Sequence, residues 1–214
     1  MAADDLVVAI TGASGSAYGV RLLETLLRAG RNVQLTISPS AAQVMEQELE
    51  RKVRLDAFDP NELLGDPADV LGEPPPASWG RRLHYHHYMD FVAGIASGSF
   101  LTGGMVICPC SMGTVAAVAH GLSQNLIHRA ADVHLKEKRK LILVPRETPL
   151  HLIQVSNLVA CAEAGAVVLP ASPAYYTKPR SLQDAIDFVV GRICDQLAVP
   201  HRLLRPWGDE PRAE

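Results

Sequence analysis

The run VVAITGASGSAYGVRLLETLLRAG, from Val7 to Gly30, constrains the fold more than any other stretch. A short β-branched apolar segment ends in Gly and Ser, and a helical pattern begins at once. Leu22, Leu23, Leu26 and Leu27 recur at helical spacing and stop at Gly30, a C-terminal cap. The apolar segment is too short for a helix and too continuous for a half-exposed strand, so it reads as a strand buried on both faces. The unit repeats. Strand-like runs fall at 6–10, 33–37, 105–108, 141–144 and 166–169. Helical patterns fall at 41–50, 111–120, 125–138, 149–164 (Pro149 in its first turn) and 182–197. This alternation predicts an α/β fold, a doubly wound parallel sheet with helices on both faces.

A chain of 214 residues suits one domain, taken as 1–197, with a C-terminal tail at 198–214 carrying Pro200, Pro206 and Pro211. Residues 54–90, with Pro74, Pro75 and Pro76 in the middle, read as a variable surface excursion. A net charge of −3 argues against a nucleic-acid binder that relies on its overall field. No apolar run approaches the roughly 18 residues of a membrane span, and the acidic start lacks the charged and apolar regions of a signal peptide. A cytoplasmic protein is expected. Cys108, Cys110, Cys161 and Cys194 lack zinc-site spacing and read as buried free thiols.

Three strand ends carry the same device. After the first comes Gly12, Ser14, Gly15 and Ser16; after the second, Ser38-Pro39-Ser40; after the third, Ser111, Gly113 and Thr114. Each opens a helix. A helix N-terminus leaves backbone N–H groups unpaired and favours an anion, while Gly permits close approach and Ser adds hydrogen bonds. The spacing is neither GxGxxG nor a Walker motif, and no acidic residue clearly closes the second strand, which weakens a dinucleotide reading. Each end alone is also an ordinary cap; together they predict a nucleotide or flavin site.

Charged residues add candidates. Arg129 and Lys136 share a helix face, with Asp132 and Glu137 as local ion-pair partners. Arg146 and Glu147 follow a strand, where open α/β folds place functional groups. Tyr175, Tyr176 and Lys178 follow the last strand, and Arg192 lies in the final helix within reach of Asp187 or Asp195. Ser97 and Gly98 form another Gly/Ser turn suited to an anion. His84, His86 and His87 lack a matching carboxylate or thiol, so no metal site is expected there.

Taken together, TGASGSAYGVRLLE, ASGSF, GMVICPCSMGT, NLIHRAADVHLKEKRKLILVPRETPLHL, GAVVLPASPAYY and DFVVGRICDQL resemble the UbiX-type flavin prenyltransferases, collinearly from about Leu6 to Leu197. The resemblance implies a flavodoxin-like homo-oligomer, typically a dodecamer, that uses no metal. It implies transfer of a dimethylallyl group from dimethylallyl phosphate to N5 and C6 of reduced FMN, which is a substrate, with the prenylated FMN passed to a UbiD-type decarboxylase. By position, Gly12, Ala13, Ser14, Ser38, Ser111, Met112, Gly113, Thr114 and Arg146 match the FMN-binding residues. Lys136, Arg146, Glu147, Tyr176 and Arg192 match the prenyl-phosphate pocket, with Arg129, Ser97 and Gly98 beside it. Glu48, Glu147 and Ser14 match the residues near the reacting chemistry, Glu48 as a candidate base at C6, and Phe91 sits where the family usually has an aromatic or apolar wall. Ser38-Pro39-Ser40-Ala41-Ala42 replaces the commoner Ser-Lys-Ala-Ala and so loses a charge.

The alternative is a flavin-dependent decarboxylase of cysteine-type carboxylates in the same superfamily. That branch usually carries an early catalytic His and a PASANT-like motif, whereas the first His here is His84. A flavin carrier without turnover is a further alternative.

Overall fold

The computed structural model describes residues 5–65 and 79–204. Six parallel strands form one sheet in the order β3-β2-β1-β4-β5-β6. They are β1 (Asp5–Ile10), β2 (Asn32–Ile37), β3 (Leu83–Tyr85), β4 (Gly104–Cys110), β5 (Leu141–Pro145) and β6 (Val167–Val168). The helices that connect them are α1 (Ser16–Arg28), α2 (Pro39–Leu49), α3 (Met112–Ala119), α4 (Leu126–Lys136), α5 (Leu152–Glu163) and α6 (Leu182–Leu197), with helical turns at Pro60–Leu64 and Trp79–Arg82. Without the short edge strand β3, the order is that of flavodoxin-like folds, and the direction of winding reverses between β1 and β4.

The sheet is buried because its alternate residues feed two cores. Leu6, Val8 and Ile10 of β1 face one, with Val33, Leu35 and Ile37 of β2 and Ile142 and Val144 of β5. Helices α1, α2 and α6 cover it through Leu22, Leu26, Met45, Val189 and Ile193. Val7 and Ala9 face the other core, with Met105, Ile107, Leu141 and Leu143, beneath Val115 of α3, Ile127 of α4 and Cys161 of α5. All four cysteines are free and buried. Burial pushes the thiol of Cys161 up to about 11 and that of Cys194 up to about 12, so neither is a thiolate near neutral pH.

Two sequence expectations need correction. The stretch 54–90 is not wholly a surface excursion: Leu63 and Leu64 are buried, and Leu83–Tyr85 pairs with β2 from Val33 to Leu35. The triple proline lies outside the described residues, as do Pro206 and Pro211 of the tail and the acidic residues 1–4. The helix expected from Pro149 begins at Leu152, with His151 as its N-cap residue, so Pro149 belongs to the preceding turn. Gly30 ends α1 as expected, with φ 76° and its amide bonded to the Leu27 carbonyl.

Two histidines of the excursion, His86 and His87, have structural partners. His86 Nε2 lies 2.7 Å from Gln34 Oε1, whose amide nitrogen donates to Asp5 Oδ1. His87 Nε2 lies 3.4 Å from Asp56. Among the described residues no three His, Cys, Asp or Glu side chains converge as metal ligands. Among the same residues no helix is long and apolar enough to cross a membrane.

Candidate functional site

At the C-terminal edge of the sheet, the turns after β1, β2, β4 and β5 meet. Thr11, absent from the expected site, joins two of them: its hydroxyl donates to the Pro109 carbonyl (2.9 Å) and accepts from the Ser111 amide (2.7 Å). Gly12 is required where the first turn touches the second. A Cβ there would lie 2.5 Å from the Ser40 side chain, so any other residue forces the turns apart. Ser38 caps α2 by accepting from the Ala41 amide, and Ser111 caps α3 by accepting from the Thr114 amide (3.3 Å). Both caps occur where the sequence placed them.

The first turn differs from its sequence reading. The amides of Gly15 and Ser16, which open α1, donate to the Glu48 carboxylate at 2.8–3.0 Å. That helix N-terminus already holds an anion supplied by the chain itself and is not the phosphate cradle expected of it. Burial pushes the Glu48 carboxyl up. Hydrogen bonds from the Ser14 hydroxyl and the Ser16 and Gly15 amides outweigh it and hold the group below the usual carboxylate range. Glu48 is therefore ionised at neutral pH. It clamps the turn as well as standing beside Ser14.

The N-terminus of α3 is in a different state. Ser111 Oγ serves Thr114, leaving the amides of Met112 and Gly113, which no intrahelical carbonyl can reach. Of these two residues, Gly113 lines a cleft of about 600 Å³, together with Ser38, Ser40, Tyr88, Thr114 and His128. Volume and lining fit a phosphorylated aromatic ligand. Tyr88 supplies the aromatic wall, whereas Phe91 does not line the cleft. Nothing in the local pattern announces Tyr88. It reaches the cleft because its carbonyl accepts from the Leu126 amide at the start of α4.

Arg146, directly after β5, donates from Nε to the Ser14 carbonyl (3.1 Å), which sets its guanidinium over the first turn. Tyr18 and Tyr175 share this neighbourhood: burial and the Cys108 thiol raise Tyr18, the Arg146 charge opposes, and Tyr175 adds to the rise. Glu147 is exposed, and its carboxylate accepts from the Thr148 amide. Tyr176 lies in the loop after β6 and packs edge-on against Phe188, at 6.1 Å between ring centroids.

The remaining expected residues are not brought to this edge. Lys136 ends α4 just before β5, whereas Arg146 follows β5. The length of the strand, roughly 16 Å, separates them. Lys136 pairs with Glu137, and Arg139 donates to the carbonyls of Phe100 and Gly98. Ser97 and Gly98 are thus tied to the N-terminal edge, close to Gly103, whose amide bonds to Asp5 at the start of β1. Arg129 sits between the edges, donating to the Ala96 carbonyl (3.0 Å) and pairing with Asp132 (2.8 Å). Arg192 is about 15 Å along α6 from its N-terminus and pairs with Asp195 (2.6 Å). Asp187, its other expected partner, holds Arg21 instead. Within one chain, then, the expected cluster of Lys136, Arg146 and Arg192 around a single phosphate does not form.

This geometry has relatives. The model of the family described as Flavoprotein matches residues 2–194. The chain is 47% identical over 204 residues to the flavin prenyltransferase UbiX of Alkalihalophilus pseudofirmus, covering 95% of this chain and 96% of that one. The structure of AnUbiX (PadA1) in complex with FMN and dimethylallyl pyrophosphate superposes with a TM-score of 0.81 at 34% identity, covering 99% and 100% of the two chains. A dodecameric FMN-dependent UbiX-like decarboxylase from Escherichia coli O157:H7 gives a TM-score of 0.75 at 37% identity, over 92% and 96%. The chain belongs to the flavoprotein family and, within it, to the UbiX flavin prenyltransferases.

Proposed function

We propose that the protein transfers a dimethylallyl group from dimethylallyl phosphate to N5 and C6 of reduced FMN, and that it works in the cytoplasm and supplies a UbiD-type decarboxylase. The carrying observation is a cleft lined by the turns after β2 and β4 at the start of α3, at the sheet edge where the turns after β1 and β5 also meet. The FMN phosphate is assigned to Met112, Gly113 and Thr114, with Ser38 alongside. The flavin ring is assigned to Gly12, Ala13 and Ser14 beneath Arg146.

Loss of phosphate from the donor leaves an allyl cation and a growing negative charge. Lys136, Arg146 and Arg192 stabilise that charge, with Arg129, Ser97 and Gly98 close by. Tyr176 donates a hydrogen bond, and Glu147 balances the cations. Closing the ring at C6 releases a proton. Glu48 is ionised and can accept it, and so can the departing phosphate.

The separation of Lys136 and Arg192 from Arg146 supports a site completed by a second copy of the chain. So does the apolar outer face of α5, where Leu152 is 79% exposed and Ile153 and Val159 also face outward. A dodecamer, as in the E. coli relative, is the assembly proposed.

The test is to incubate the protein with reduced FMN and dimethylallyl phosphate and weigh the released flavin. A gain of one five-carbon unit is expected. An unchanged flavin mass with both the monophosphate and the diphosphate would overturn the reading. Release of carbon dioxide from a peptidyl or pantothenoyl cysteine would favour the decarboxylase instead.

A further inference from the structure

The chain does not stop where α6 ends. Ala198 turns it back in the left-handed region (φ 53°), and the Val199 amide bonds to the Cys194 carbonyl. Val199 is buried, and Leu204 returns onto the helix at Gly191. A Cβ at Gly191 would lie 2.7 Å from Leu204 and 3.2 Å from the His201 ring, so the glycine beside Arg192 is what lets this segment lie flat.

The return segment brings His201 to Asp195. His201 Nε2 lies 3.0 Å from Asp195 Oδ1, and Arg192 Nη1 lies 2.6 Å from Oδ2 of the same carboxylate. The tautomer follows from a third bond. The Leu203 amide donates to His201 Nδ1 (3.2 Å), so Nδ1 carries no proton and Nε2–H donates to Asp195. The His201 side chain is only 9% exposed, whereas Arg192 is 50% exposed. One carboxylate oxygen is thus fixed by a nearly buried ring, and the other fixes one arm of a guanidinium. The Nε and Nη2 donors of Arg192 have no partner among the described residues. A planar fork held on one side with its other donors open is the arrangement for a bidentate phosphate contact.

We infer that His201 and Asp195 are positioning residues for Arg192, with the return segment 199–204 built to hold that guanidinium toward the donor's phosphate. The inference rests on the reading that Arg192 binds that phosphate. An arginine otherwise has several rotamers to lose on binding, and prior restraint lowers that cost.

The experiment compares His201→Ala, His201→Gln and Arg192→Ala in steady-state prenyl transfer, with FMN affinity by flavin fluorescence and thermal unfolding measured alongside. Gln places an N–H near the position of Nε2 and is the rescue variant. Expected are a roughly tenfold rise in the KM for dimethylallyl phosphate in His201→Ala, unchanged FMN affinity, and recovery in His201→Gln. In the Arg192→Ala background, His201→Ala should add nothing further. An unchanged donor KM in His201→Ala overturns the inference. So does a loss shared equally by donor KM, FMN affinity and thermal stability that Gln does not rescue, because that marks a plain structural strap. If Arg192→Ala itself leaves the donor KM unchanged, the underlying reading of Arg192 fails and the inference falls with it. If Arg192→Ala raises the KM and His201→Ala does not, only the positioning role is lost.

Discussion

His134 shows how much one buried side chain can impose. It lies in α4, 1% exposed, with Nδ1 2.7 Å from the Ala130 carbonyl and Nε2 2.8 Å from the Thr102 hydroxyl. The ring is neutral, donating from Nδ1 and accepting at Nε2. Burial lowers its pKa to about 4; the Ala130 bond opposes the shift and Arg139 adds to it. Because the folded value lies below the unfolded one, near 6.5, the unfolded chain takes up the proton first. The contribution is fully present above pH 6.5 and is lost as pH falls toward 4, by about 3 kcal/mol in all. Urea unfolding from pH 7 to pH 4.5 should show this loss, and His134→Asn should lower the plateau and flatten the acid limb. Gly12 makes a simpler prediction. Gly12→Ala drives a methyl into Ser40 and should cost about 1–3 kcal/mol, with weaker FMN binding by fluorescence titration.

At the scale of elements, two helix N-termini face the same edge with different tasks. The first is filled by Glu48 and the third is open. Ser111→Ala should cost about 1 kcal/mol through the lost cap and should weaken FMN more than riboflavin, which has no phosphate, when both are titrated. Equal losses for the two flavins would move the phosphate elsewhere. The caps at Ser38 and Ser111 were legible because each depends on residues next to each other in the chain. The clamp made by Glu48 was not legible, since its partners lie more than thirty positions away. The strand Leu83–Tyr85 escaped notice because three residues next to a histidine cluster show no period; its existence depends on the open edge of β2.

For the whole molecule, the chain's polarity held information that the motifs did not display. All strands run parallel, so a residue just before a strand and one just after it lie at opposite edges. Lys136 and Arg146 flank β5 in this way. Grouping them by function alone placed them on one phosphate, whereas the order of strand and helix separates them. The apolar face of α5 makes the matching prediction. Charged replacements at Leu152 and Ile153 should dissociate the proposed assembly in size-exclusion chromatography and abolish prenyl transfer while leaving the far-ultraviolet circular dichroism of the subunit intact. Turnover by a dissociated subunit would show that one chain suffices.

The two-edged layout also has a genetic consequence. A chain crippled at Ser111 and a chain crippled at Arg192 damage opposite ends of the molecule. In the assembly proposed above, each alone would be impaired in prenyl transfer. Co-expressed, they would build mixed particles in which an intact end of one meets an intact end of the other, and the mixture should turn over faster than either variant by itself.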